Sequence, residues 1–355
     1  MVNGQFSKKR RVTIKQVAEA ANVSTQTISR VINNRPDVAE ETRERVLNVI
    51  ENLGYHPNAV ARSLIRQRSM TIGVVTSGLQ HVGPSRTLRG ITEEAEYQGY
   101  TLILKELPRF DFSDVRPVIS TLIGHQVDGI LWAVQEVGNN REWVNEHISE
   151  IHVPIIFLSM QPRPGLTIVG IDNYKASFRA VQHLLDQGYR HIGHISGPLD
   201  WWEARERKTA WKDCLERAGI KVTDQHSAEG NWSPSSGDRA MKELLVKYPD
   251  IDAVFSANDQ MAISVLLGAA QAGYRVPQEL GVAGFDNIPE SAYFNPPLTT
   301  VHQDQFELGR TGVRELIKII HLDQKMDGYY EPHTITLEPE LIIRESSIRR
   351  KTTQP

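Results

Sequence analysis

Residues 13–33 read TIKQVAEAANVSTQTISRVIN, and two short helices joined by a tight turn follow from that stretch. Thr13 and Gln16 form a T-x-x-Q capping box, in which each side chain satisfies a backbone N–H left unpaired at a helix start. Ile14, Val17, Ala18 and Ala21 then recur at i, i+3, i+4 and i+7, which makes one face apolar. Asn22 suits a left-handed residue at the helix end, Ser24 caps the second helix, and Ile28, Val31 and Ile32 supply that helix with a buried side. Thr25, Gln26, Ser29 and Arg30 are left on its outer face, near the N-terminal end. Gln pairs with adenine and Arg with guanine through two hydrogen bonds each, and a good pair of this kind discriminates by about 1–3 kcal/mol. The competing reading is an ordinary helical hairpin with a polar surface.

Working outward, residues 40–53 form a third helix with Val46, Val49, Ile50 and Leu53 inward and Gly54 as its stop signal. Three helices close a small core. On the N-terminal side, residues 1–11 are polar and end in Lys8, Lys9, Arg10 and Arg11, a basic arm or a solvated tail. On the other side, Pro57 opens a short stretch from Asn58 to Leu64, rich in small residues, that reads as a linker able to become helical. Residues 1–69 hold twelve Lys/Arg against six Asp/Glu, and the remainder 28 against 37. A basic head on an acidic body suggests a polyanion-binding module carried by a domain with another task.

From Met70 the pattern changes to apolar strands at 71–76, 101–105, 129–133, 155–159, 191–196, 253–257 and 281–285. Amphipathic helices at 88–98, 176–187, 203–218, 239–248 and 260–272 lie between them. Repeated βαβ units imply parallel sheets with helices on both faces. So many strands divide better between two sheets than within one, so two lobes with a cleft are expected. The expected division is an arm (1–11), a head (12–56), a linker (57–69), a two-lobed body (70–348) and a short basic tail (349–355).

A single cysteine, Cys214, excludes an intrachain disulfide framework and agrees with a reducing compartment. The polar, basic start does not resemble a secretory signal, and no apolar run approaches the roughly 20 residues that span a bilayer. A cytoplasmic chain without a membrane partner is expected. Catalytic motifs are missing: no phosphate loop, no G-x-G-x-x-G, no H-E-x-x-H, and GHISG at 193–197 misplaces the serine for a nucleophile elbow. His191 and His194 sit at i, i+3 on a strand, hence on opposite faces, and cannot share a metal. Cys214, on a helix without a His or Cys nearby, reads as a buried thiol. No enzyme activity, cofactor or metal is expected.

The opening stretch, GYHPNAVARSL (54–64), DAVFSANDQMA (252–262) and VAGFDN (282–287) together resemble the lactose/galactose repressor (LacI/GalR) family. TSGLQHVGPS (76–85), SGPLDWWEAR (196–205) and EGNWS (229–233) are similar to its lactose-responsive branch. The resemblance implies a small all-α helix-turn-helix DNA-binding domain followed by an α/β, two-lobed, periplasmic-binding-protein-like (type I) effector domain. Thr25, Gln26 and Arg30 match the family's base-contacting positions, in a helix whose N-terminal end enters the major groove. Thr25 is smaller than the residue of the lactose-responsive member, so the operator sequence does not carry over. Asn58, Val60, Ala61 and Leu64 match a hinge helix that enters the minor groove as a pair, with Ala61 allowing close approach and Leu64 acting as an apolar wedge. One departure is Ala39, at a position usually held by a capping hydroxyl. Its loss costs about 1 kcal/mol, partly offset by Glu40 and Glu41 on the helix dipole.

By the same resemblance Arg205, Trp232, Asn258 and Asp286 match effector-binding positions. Their chemistry favours a polyol over a nucleobase, because a carboxylate and a guanidinium each engage neighbouring hydroxyls while an indole covers the apolar face of a sugar ring. Each also has a bland reading: a surface salt bridge for Arg205, a core aromatic for Trp232, a cap for Asn258, a turn for Asp286. Of Trp201 and Trp202, one is expected to line the cleft and the other to pack, and Asp172 either faces the ligand or makes a turn. The expected protein is a repressor whose operator affinity is controlled by a small carbohydrate, a galactoside or glucoside acting as inducer. A homodimer on a pseudo-palindromic operator follows, because one recognition helix covers only a half-site. The tail after Glu345 lacks the leucine heptads that tetramerise the lactose-responsive member. The alternatives are a co-repressor-dependent regulator with a nucleobase effector, a sugar-binding transport component, and a carbohydrate enzyme.

Overall fold

The structure, a computed structural model, describes residues 12–32, 35–55, 68–322 and 330–349. The chain divides into two compact units, Met1–Ser69 and Met70–Pro355. In the first, α1 (Ile14–Ala21), α2 (Thr25–Ile32) and α3 (Glu40–Leu53) pack as three helices. The capping box forms: the Thr13 N–H donates to Gln16 Oε1 at 2.8 Å, and the Gln16 N–H to Thr13 Oγ1 at 3.4 Å. Asn22 takes the left-handed conformation (φ 51, ψ 49), and Ser24 Oγ accepts from the Thr27 N–H at 3.1 Å. Ala39 makes no side-chain cap, and Glu40 and Glu41 occupy the first turn of α3.

Val17, Ala18, Ala21, Ile28, Val31 and Val46 are buried together, with Ile32, Val49 and Ile50 partly buried against them. Leu53 departs from expectation and is 39% exposed. The left-handed Gly54 (φ 60) turns the chain back, the Tyr55 N–H reaches the Ile50 carbonyl at 3.0 Å, and the buried Tyr55 side chain closes that end of the core in place of Leu53.

The second unit holds two six-stranded sheets. The first runs β11 (Thr334–Leu337), β5 (Thr167–Ile171), β4 (Ile155–Leu158), β3 (Gly129–Ala133), β1 (Thr71–Ser77), β2 (Thr101–Leu107), all parallel. The second runs β12 (Glu340–Ile342), β10 (Thr299–His302), β9 (Gly281–Phe285), β8 (Ala253–Ser256), β6 (Ile192–Ser196), β7 (Ser227–Glu229), with only the β10–β12 pair antiparallel. The seven strands read from apolar runs all form, with ends shifted by at most two residues. β5, β7, β10, β11 and β12 were not anticipated. They have three to five residues each, too short for a periodic signal.

The chain passes between the lobes three times. Helix α7 (Asn173–Asp186) follows β5 but packs on the second sheet, burying Ala180, Val181 and Leu184 with Phe255 and Phe285. Helix α11 (Gln305–Leu322) follows β10 and returns to the first, burying Leu308, Val313, Leu316 and Ile320 with Ile72, Val74 and Leu158. The third passage joins β11 to β12. Helix α11 lies against α4 (Val82–Tyr97) so closely that a Cβ on Gly309 would stand 2.2 Å from the Thr87 carbonyl oxygen. A side chain there would force the helices apart.

His194 is fully buried and stacked between Trp211 and Phe255, its Nδ1 2.9 Å from the Phe255 carbonyl oxygen. Burial pushes its pKa down to about 3, so the imidazole stays neutral. Cys214 is a buried free thiol whose pKa burial pushes up to about 12, which makes it a poor nucleophile. Among the described residues no helix is long and apolar enough to cross a membrane.

Candidate functional site

On α2, Thr25, Gln26 and Arg30 are exposed and Ser29 is partly buried. Arg30 stands 3.7 Å from Asp37 with both side chains half exposed, a surface pair worth at most about 1 kcal/mol that is readily exchanged for another partner. The other DNA-facing expectations, Asn58, Val60, Ala61 and Leu64, and the basic arm lie outside the described residues.

In the second unit a cleft of about 690 Å³ of open space, its solvent mouth included, lies where the passages between lobes begin and end. Ile171 and Asn173 from the first passage and Gln303 and Gln305 from the second line it. One wall is aromatic. Trp201, the residue before α8 (Trp202–Arg217), sits with its ring 4.5 Å from Phe110 in the first lobe and 5.6 Å from Trp232 in the second. Gly197 makes room for this wall, because a Cβ there would stand 2.1 Å from the Trp232 ring. Trp232 adopts φ 71, uncommon for a bulky residue. Asn258 supports it: Nδ2 donates to the Trp232 carbonyl at 3.0 Å, while Oδ1 accepts the Met261 N–H at 2.9 Å and so caps α10 (Asp259–Gln271).

The polar side of the cleft centres on Asp286, at the end of β9, which also has a positive φ of 109. Its carboxylate accepts from the Gln303 amide and lies 3.8 Å from the Arg207 guanidinium, while Arg86 of the opposite lobe donates to its carbonyl at 3.3 Å. Burial raises the Asp286 pKa, and Arg207 and Gln303 oppose that rise. Arg207 itself donates from Nε to Asn173 Oδ1 at 2.9 Å and from Nη1 to the Ala257 carbonyl at 2.5 Å, with its guanidinium 3.7 Å above the Phe285 ring.

Trp201, Trp232, Asn258 and Asp286 therefore meet at one cleft. Trp202 does not line it. Two expectations need correction. Arg205 is exposed and turns to the Leu199 carbonyl at 3.1 Å, because the buried stripe of α8 runs through Ala204, Arg207, Trp211 and Cys214, with Arg205 off that face. Asp172 caps α7 by accepting the Lys175 N–H at 2.8 Å, and its neighbour Asn173 enters the cleft instead. Arg207, Glu203, Asn173, Gln135, Phe110 and Gln303 were missed. For Glu203 and Arg207 the signal was present, an i, i+4 pair next to the apolar stripe of a helix already read from the sequence. The others come from loops and passages with no periodicity to read.

Comparisons with known proteins match both units in order. Bacterial regulatory proteins of the lacI family match residues 13–58, and a periplasmic binding protein-like domain matches residues 181–347. The HTH-type transcriptional repressor PurR of Mannheimia succiniciproducens is 33% identical over 94% of this chain and 98% of its own length. The catabolite control protein A of Priestia megaterium is 35% identical over 91% and 97%. Among solved structures, the Lac repressor dimer bound to operator and the anti-inducer ONPF superposes with a TM-score of 0.82 at 30% identity, covering 96% of this chain and 100% of that one. A complex of the regulator CelR with cellobiose gives 0.69 at 30% identity over 95% and 100%. A three-helix head, a two-sheet body and relatives spanning nearly the whole length leave one assignment: the chain belongs to the lacI family of bacterial regulatory proteins, as a transcriptional repressor and not an enzyme.

Proposed function

We propose that this repressor binds a pseudo-palindromic operator as a cytoplasmic homodimer, and that a small carbohydrate, a galactoside or glucoside, enters the cleft as inducer. The observation that carries the effector reading is the aromatic wall of Trp201, Trp232 and Phe110 facing the Asp286–Arg207 pair. Flat rings cover the apolar faces of a pyranose, while a carboxylate fixed by an amide and a guanidinium takes its hydroxyls through charge-assisted hydrogen bonds. The solved complex of CelR with cellobiose is in keeping with such a ligand. The same rings would stack on a nucleobase, which makes a nucleobase co-repressor the competing reading.

The two readings differ in sign. An inducer that prefers the DNA-incompetent state weakens operator affinity, and operator weakens inducer affinity by the same factor. The test is a thermal-shift screen of mono- and disaccharides and nucleobases, followed by binding to operator DNA selected from a random pool, with and without each hit. A sugar that releases the DNA supports the proposal. A nucleobase that tightens DNA binding, with no sugar hit, replaces it.

At the head, Arg30→Ala is expected to weaken selected-operator binding by about ten- to a hundredfold, the value of one bidentate base contact. Binding to random DNA at the same salt should change far less, because base contacts specify and phosphate contacts position. Equal losses on both DNAs would reduce Arg30 to a phosphate contact.

A further inference from the structure

Glu203 lies in the first turn of α8, lines the cleft, and is only 7% exposed. Its Oε2 has no hydrogen-bond partner, and neither has Gln135 Oε1, a second acceptor lining the same space. A buried carboxylate oxygen without a donor is unfavourable, and a ligand hydroxyl would relieve that. The charges around it point to the kind of ligand. Glu203 and Asp286 are two acidic groups on the lining. Among the described lining residues the permanent cation is Arg207, already engaged by Asn173, the Ala257 carbonyl and Asp286. The lining His81 has its pKa lowered by burial and is neutral at neutral pH. No uncommitted cation on this lining is therefore available to an anion.

We propose that Glu203 is a specificity-determining residue of the cleft, accepting a hydroxyl from an uncharged polyol and excluding effectors that carry a phosphate or a carboxylate. The inference rests on the sugar reading of the same cleft. Burial pushes the Glu203 carboxyl up to about 7, with its own backbone N–H, then Arg207 on its own helix and Arg141 from the first lobe, opposing the rise and Glu136 adding to it. A donor hydroxyl favours the ionised form, whereas an arriving anion requires the group to take up a proton. Discrimination is therefore greatest above neutrality, and glutamine mimics the protonated state.

The test is calorimetry at pH 8 with matched pairs: glucose against glucose 6-phosphate, and galactose against galactose 6-phosphate and galacturonate, with lactose and cellobiose as larger neutral probes. The wild type is expected to bind a neutral sugar at least tenfold more tightly than its charged counterpart, and Glu203→Gln to shrink that ratio at least threefold. Glu203→Asp keeps the charge at shorter reach. It should weaken the neutral sugar several-fold while still refusing the anion, and so tests the idea even if the glutamine variant fails to fold. A ratio near one in the wild type, or one unchanged in Glu203→Gln, overturns the role of Glu203 and leaves the sugar reading standing. If no sugar, neutral or charged, binds the wild type, the sugar reading falls and this inference with it.

Discussion

Arg207→Ala is expected to cost about 3–5 kcal/mol of folding stability, while Arg205→Ala, two residues away, should change it by no more than about 0.5 kcal/mol. The difference follows from position and not from chemistry. Arg207 is 5% exposed and gives hydrogen bonds to Asn173 and the Ala257 carbonyl, with Asp286 3.8 Å away. Its removal leaves the partly buried Asp286 carboxylate without its counter-ion, an amide oxygen and a backbone carbonyl without their donor, and a hole above the Phe285 ring. Removing one partner of such a set is far more damaging than replacing both. Arg205 sits in solvent with one hydrogen bond to the Leu199 carbonyl. Urea unfolding of both variants, followed by tryptophan fluorescence, makes the comparison. Arg207→Lys supplies a soluble intermediate if the alanine variant does not fold, and it should still lose stability, because an ammonium cannot reproduce the guanidinium fork. Equal effects at 205 and 207 would contradict the placement of Arg207.

The second large effect is functional. Asp286→Asn should leave operator binding close to the wild-type value yet weaken sugar affinity by about ten- to a hundredfold, the value of a hydrogen bond to a charged group. Asparagine keeps the shape and can still accept from Gln303, so the loss reports the charge. Asp286→Ala should go further and give a repressor that no longer releases DNA at sugar concentrations saturating for the wild type. It also strips Arg207 of its counter-ion, so a lower melting temperature is expected for that variant, and Asp286→Asn separates the two causes. The measurement is operator affinity across a sugar titration for wild type and both variants. A normal response in Asp286→Ala would remove Asp286 from the effector contacts.

Legibility in the sequence followed the range of the interactions involved. The head was readable to the level of single side chains, including the Thr13–Gln16 capping box, the left-handed Asn22 and the uncapped Ala39, because caps and helical faces are set by residues three or four apart. Its one error, Leu53, arose where Tyr55 competed for the same corner of the core. In the body the long buried strands were legible as apolar runs, and helix phase already contained the difference between Arg205 and Arg207. Had the inward stripe of Ala204, Trp211 and Cys214 been extended through α8, Arg207 would have been selected from the sequence alone.

The class of each unit, the outward polar side of α2 and four of the residues that meet at the cleft were thus legible without coordinates. The rest of the cleft depends on long-range packing. Phe110 and Trp201 are 91 positions apart along the chain yet 4.5 Å apart in space, and Gln303 reaches Asp286 because β9 and β10 lie side by side in the second sheet, with Val301 opposite Phe285. Such contacts are set by strand order within a sheet and by how two sheets share one chain, and no local periodicity encodes that arrangement. The partnerless oxygen of Glu203 belongs to the same category: a carboxylate on a helix is ordinary in sequence, and only packing shows that it is buried without a donor.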